Sequence, residues 1–119
     1  MISDRFHDSS TAYQGYGRGL SVEAIKNIHK IAIGETVPDI TFLIDIPIEI
    51  AHQRKSVKSG ELDRIEMSDI KFYNRVRDGY LQIAKEEKRF RVIDGYRNVD
   101  IIHKDIIMEI LEHDKLELL

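Results

Sequence analysis

The sequence predicts an α/β fold in which a parallel sheet is flanked by helices, and it predicts that the sheet is incomplete. Two apolar, β-branched runs, ITFLIDI at 40–46 and FRVIDGY at 90–96, read as strands. Helical patterns alternate with them, the order expected of parallel β/α units. Only those two strands are convincing, with a possible stub at Met1–Ser3. A parallel sheet normally has both faces and most edges covered, and two strands are too few to organise four helices. The chain of 119 residues is long enough to bury a small core, yet its architecture reads as part of something larger.

The elements follow in order. The first twenty residues have loop composition, with Ser9, Ser10 and Thr11 followed by Gly15, Gly17 and Gly19 among Tyr13, Tyr16 and Arg18. Ser21 caps a helix over 22–33, with Val22, Ile25, Ile28 and Ala32 on one face and Gly34 as its stop. Pro38 and Asp39 introduce the first strand, which is expected to be covered on both faces. Pro47 suits the first turn of a short helix through about Arg54. The segment 54–64, RKSVKSGELDR, has almost no apolar periodicity and reads as a mobile charged loop. Ser68 starts a long helix whose stripe is Phe72, Val76, Tyr80 and Ile83, despite a Gly79 that costs about 1 kcal/mol relative to Ala. After the second strand, Asn98 caps a helix with Ile102, Ile106 and Ile110 inward.

Composition narrows the function. Hydrophobic residues make up 42% and charged residues 33%, as in a globular chain. A net charge of −3 argues against a broad nucleic-acid surface. With no cysteine, disulfide scaffolds, Cys-ligated zinc and thiol catalysis are excluded. No apolar run approaches the ~18 residues of a membrane span, and MISDRFHDSS has no signal-peptide core, so a cytoplasmic location without membrane partners is expected. No G-x-x-x-x-G-K-[ST] phosphate loop is present, and Gly15–Gly19 follow no strand and lack dinucleotide spacing. His7, His29, His52, His103 and His113 show no paired metal spacing, so no metal ligand is assigned.

Three features carry possible chemistry. Asp4-Arg5 is followed by Asp8-Ser9-Ser10-Thr11-Ala12-Tyr13-Gln14. An arginine at the carboxyl end of a strand can grip a phosphate with two parallel hydrogen bonds, and Ser, Tyr and Gln can read the rest of a small polar ligand. A surface Arg–Asp pair in a polar loop is the plainer reading. Arg54, Lys55, Lys58 and Arg64 would suit a lid that closes on phosphates, or else a solvated linker. Asp94-Gly95-Tyr96-Arg97 either lines a base pocket or is an ordinary strand-to-helix turn.

Together these blocks resemble the bacterial thymidylate kinase family. DRFHDSSTAYQGYGRG (4–19) resembles its nucleotide-monophosphate signature and PDITFLIDI (38–46) its fourth strand. GELDRIE (60–66) is similar to the end of its lid, FYNRVRDGYLQIA (72–84) to the following helix, and RFRVIDGYRNVDIIHKDI (89–106) to its last strand and helix. The blocks are collinear and cover nearly the whole chain.

The resemblance implies a P-loop NTPase-like nucleoside monophosphate kinase fold. Such an enzyme transfers the γ-phosphoryl group of ATP, with Mg²⁺, onto dTMP to give dTDP in dTTP biosynthesis. By position, Arg5 would hold the acceptor phosphate and Asp4 would lie near the phosphates and magnesium. Ser10 and Gln14 would meet the thymine edge, Tyr13 the deoxyribose, with Ser9 beside them. Arg54, Lys55 and Arg64 would belong to the lid (about 54–64), and Asp94, Gly95, Tyr96 and Arg97 would approach the adenine. The family begins with a strand, a P-loop and a helix, whereas this sequence opens within the third strand and lacks the strand between the third and fourth. Residues 1–119 therefore read as the C-terminal part of one kinase domain, inactive alone and needing an N-terminal half in cis or in trans. The family also implies a possible homodimer. The alternatives are a non-catalytic nucleotide-binding module, half of a split kinase, a helical interaction protein, or a kinase for another nucleoside monophosphate.

Overall fold

The structure, a computed structural model, describes residues 1–59 and 67–117. Helix α1 (His7–Ser10) runs directly into a π-helical segment, Thr11–Gly17. Then come α2 (Val22–Ile33), β1 (Thr41–Asp45), α3 (Ile48–Ser59), α4 (Met67–Glu86), β2 (Phe90–Asp94) and α5 (Val99–Glu117). β1 and β2 pair in parallel, in register from Thr41 opposite Phe90 to Asp45 opposite Asp94. This small parallel sheet with helices is compatible with an incomplete α/β fold.

Local signals placed several ends correctly. The Ser21 hydroxyl accepts from the Ala24 N–H at 3.2 Å, and Gly34 ends α2 at a φ of +57°. The Asn98 side chain accepts from the Asp100 N–H at 2.8 Å at the start of α5. The α4 stripe is realised, with Val76 and Ile83 buried and Phe72 and Tyr80 packed on them, and Ile102, Ile106 and Ile110 of α5 are half-buried.

The structure corrects other expectations. Met1–Ser3 form no strand and are exposed, so Arg5 does not stand at a strand's carboxyl end. The glycine-rich stretch expected as a loop is helical over 7–17. A Cβ on Gly15 would come within 2.9 Å of Val22, and one on Gly17 within 2.8 Å of Phe72 and Val76. These glycines serve close packing rather than a turn. The helix expected through Arg54 continues to Ser59, because Arg, Lys and Gln are good helix formers and no breaker intervenes before Gly60. Arg54 and Lys55 are thus helical, while residues 60–66, with Arg64, lie outside the described residues.

In α2 the apolar face is only partly used. Val22 and Ile25 are half-buried, but Ile28 is 63% exposed and Ala32 is exposed too. The strand expected at 90–96 stops at Asp94, where the chain turns. Neither strand is covered on both faces, since Ile44 and Val92 are each 51% exposed.

The core lies where the Thr11–Gly17 segment crosses α4. Ala12, Val76, Ile83 and Phe90 are buried, with Tyr13, Tyr16, Leu43, Phe72, Tyr80 and Ala84 packed around them. Gly79, costly for helix propensity, is explained here: the Tyr16 Cβ occupies the space a side chain would need, 2.5 Å from an ideal Cβ.

Candidate functional site

The N-terminal cluster is built on Arg5. Its φ of +62° lies in the left-handed region, uncommon for a residue with a Cβ. The Ser3 hydroxyl donates to the Arg5 carbonyl at 2.9 Å, and the guanidinium carbon stands 5.6 Å from the Tyr13 ring centroid. Four residues on, the Ser9 hydroxyl and the Tyr80 hydroxyl share a hydrogen bond of 2.7 Å across 71 residues of sequence. Tyr13 meets Phe72 and Tyr80 edge to face, at 6.1 and 6.4 Å between centroids. Burial pushes the Tyr80 phenol above its ordinary pKa, with the Ser9 hydrogen bond opposing that shift. The result is a cation, two hydroxyls and aromatic walls in one place, groups suited to an anionic ligand with a flat apolar body.

Beneath this cluster, Asp8 and Arg89 form a buried fork. Both Arg89 terminal nitrogens donate to the Asp8 carboxylate at 2.8 Å, and one also donates to the Thr41 hydroxyl at 2.8 Å. His7 lies against the pair, its Nε2 3.4 Å from Asp8, and its ring meets His29 edge to face. Burial lowers the His7 pKa, Asp8 pulls it back up, and Arg89 adds to the lowering. Asp8 is therefore tied to the starts of β1 and β2, the opposite end of the sheet from the one the sequence suggested for a ligand.

A second cluster closes the carboxyl ends of the strands. Arg77 donates two bonds to Asp45, at 2.8 and 3.0 Å, and this hydrogen bonding raises the Arg77 pKa. The Gly95 N–H donates to the Asp45 carbonyl at 2.8 Å, and a Cβ on Gly95 would fall 2.6 Å from Ile46. Arg54 reaches the Gly95 carbonyl at 3.5 Å, joining α3 to the turn after β2. Within that turn the Tyr96 N–H donates to the Asp94 carboxylate at 2.9 Å, and Arg97 pairs with Asp105 at 2.7 Å.

The structure thus gathers Arg5, Ser9 and Tyr13 into one site and Arg54, Asp94, Gly95, Tyr96 and Arg97 around another. Asp4 and Ser10 are exposed and Gln14 is half-buried; none of the three side chains has a hydrogen-bond partner among the described residues. Lys55 is exposed on α3. Among the described residues no three carboxylate or imidazole groups are placed to hold a metal ion, and the sequence has no glycine-rich phosphate loop. By themselves these described residues offer no cradle for a metal-bound triphosphate.

Sequence reasoning missed Tyr80 as a site group, because helical spacing marks it only as core. It missed Arg89 altogether, since its partner lies 81 residues away.

A small parallel sheet with helices, carrying a polar cluster walled by aromatic rings, defines the class: an α/β protein. Comparison with known proteins makes this specific. The sequence profile of the thymidylate kinase family matches residues 1–106, and the chain belongs to that family. It is 43% identical over 112 residues to the thymidylate kinase of Kosmotoga olearia, covering 93% of this chain and 53% of that protein. It is 46% identical over 108 residues to that of Sulfurihydrogenibium sp., covering 90% and 52%. With the thymidylate kinase of Chlorobium chlorochromatii it shares 39% over 129 residues, covering 99% and 58%. The chain spans about half the length of the curated relatives it matches. No helix of the described residues is long and apolar enough to cross a membrane.

Proposed function

We propose that residues 1–119 are the C-terminal part of a thymidylate kinase domain and supply the acceptor side of phosphoryl transfer from ATP to dTMP, giving dTDP. The observation that carries this reading is Arg5, held in a left-handed conformation over Tyr13 and beside the Ser9–Tyr80 pair. A guanidinium matches a phosphate with two parallel hydrogen bonds. Tyr13, Phe72 and Tyr80 offer the flat apolar walls a nucleoside needs, and the Ser9 hydroxyl adds a polar contact. Ser10 and Gln14, with no side-chain partner among the described residues, are assigned to the thymine edge, and Asp4 to the phosphate side. A site built to pair polar base edges discriminates strongly, because a wrong base leaves groups unpaired.

Arg54, Lys55 and Arg64 are assigned to the lid, where cations stabilise charge on the transferring phosphoryl. Asp94, Gly95, Tyr96 and Arg97 are assigned to the adenine side; the Arg54–Gly95 contact that joins them to α3 supports this grouping. The donor-phosphate cradle comes from an N-terminal half, in cis or in trans, and the 119 residues alone do not turn over. A coupled ADP-release assay tests this. The chain alone is expected to give background rates, and addition of the remaining half of a matched relative as a separate polypeptide is expected to give dTMP-dependent ADP release. Turnover by the chain alone, or none from the reconstituted pair once co-purification shows the halves associated, overturns the division of labour.

A further inference from the structure

Resting on that reading, we propose that Asp8 and Arg89 are positioning residues of the acceptor site: their buried fork holds α1 so that Arg5 and Ser9 converge with Tyr13 and Tyr80. α1 is a single turn, and its N-cap residue, Phe6, makes no side-chain cap bond. α1 continues into the Thr11–Gly17 segment, and a helical stretch this short has little stability of its own, so tertiary contacts must set its position. Immediately before Ser9, the Asp8 carboxylate receives two 2.8 Å bonds from Arg89.

Arg89 is itself anchored at several points. Its carbonyl accepts from the Thr41 N–H at 2.9 Å, its guanidinium donates to the Thr41 hydroxyl, and its guanidinium carbon sits 4.8 Å from the Phe90 ring centroid. The fork therefore ties α1 to the starts of both strands. Its side chains are only 9% and 11% exposed. A buried ion pair stabilises little compared with an apolar pair of similar volume, and breaking one leaves a stranded charge. Its worth here is in fixing position. Three residues before Asp8, Arg5 keeps a φ that an arginine adopts only where its surroundings hold it. One residue after, Ser9 meets Tyr80.

The test replaces the pair on the 119-residue chain by apolar residues, Asp8→Leu with Arg89→Met, and separately makes the near-isosteric Asp8→Asn. Thermal melting shows whether each variant folds, and two readouts then follow. The first needs no ligand: amide hydrogen exchange at Ser9 and Tyr13, which reports whether α1 stays seated. In the double variant both amides are expected to exchange roughly tenfold faster as α1 loosens, and Asp8→Asn is expected to move them the same way by less. The second is calorimetric binding of dTMP and of thymidine. Affinity for dTMP is expected to drop roughly tenfold, about 1.4 kcal/mol, and by less than that for thymidine, since Arg5 meets only the phosphate. A folded variant with unchanged exchange at Ser9 and Tyr13 and unchanged dTMP affinity overturns the proposal. If the double variant does not fold, Asp8→Asn decides by the same readouts. If the unaltered chain binds no dTMP, the functional reading fails, while amide exchange at Ser9 and Tyr13 still decides whether the fork positions α1.

Discussion

Replacing Gly79 by alanine adds one methyl group at the crossing of α4 with the Thr11–Gly17 segment, and the surrounding atoms set its cost. The new Cβ would lie 2.5 Å from the Tyr16 Cβ, 2.6 Å from Cγ and 2.8 Å from Cδ2. A clash with Cβ cannot be relieved by rotating the Tyr16 ring, because that atom is fixed to the backbone. The two segments must separate by about 1 Å, thinning the contacts around buried Ala12 and Val76. Overpacking of this kind costs about 1–3 kcal/mol. Against it stands the gain in helix propensity from Gly to Ala, about 1 kcal/mol. Since the clash involves a fixed atom, the upper part of the range applies, leaving a net loss of about 1–2 kcal/mol. For a chain of this size that lowers Tm by roughly 4–10 °C. Thermal melting and urea titration followed by circular dichroism measure it, with the urea slope unchanged. An alanine variant as stable as the parent, or more so, would refute the reasoning, because propensity alone would then act and the π-helical segment would not lie on α4.

Arg5→Gly is expected to exceed Arg5→Ala in stability by about 1 kcal/mol, because only glycine is relaxed at a φ of +62°; equal melting of the two would show that Arg5 is not left-handed. Because burial lowers the His7 pKa, the folded chain binds fewer protons there than the unfolded chain. The stability tied to a neutral His7 is present above about pH 6.5 and is lost as pH falls below it. His7→Gln should flatten that part of a stability–pH profile, and a profile unchanged by the substitution would contradict it. Asp45→Asn weakens the half-exposed fork from Arg77 and is expected to cost about 1 kcal/mol, less at high salt; a loss insensitive to ionic strength would point to packing instead.

What was legible in the sequence was local. The Ser21 and Asn98 caps, the Gly34 stop, the α4 stripe and both strands were readable because each depends on neighbours a few residues away. The helix over 7–17 was not, because Gly15 and Gly17 carry no local sign that they face Val22, Phe72 and Val76. The charged end of α3 was misread for another reason: periodicity of apolar residues finds a helix only where one face is buried, and good helix formers extend it without that signal. In the site, the adjacency of Arg5, Ser9 and Tyr13 was legible from one contiguous motif. Tyr80 and Arg89 join it only through pairings across 71 and 81 residues, which only the folded chain brings together. The half-exposed Ile44 and Val92 contradict a fully covered sheet, and agree with a chain that spans about half of its relatives' length.

The central claim is that Arg5 and its aromatic neighbours form a dTMP site. Calorimetric titration of the 119-residue chain with dTMP, beside the same titration of Arg5→Ala, tests it most directly. Saturable binding by the parent chain is expected, with affinity at least roughly tenfold weaker in the variant from loss of a charge-assisted fork on the phosphate. Absence of saturable binding, or equal affinity in both chains, would contradict it.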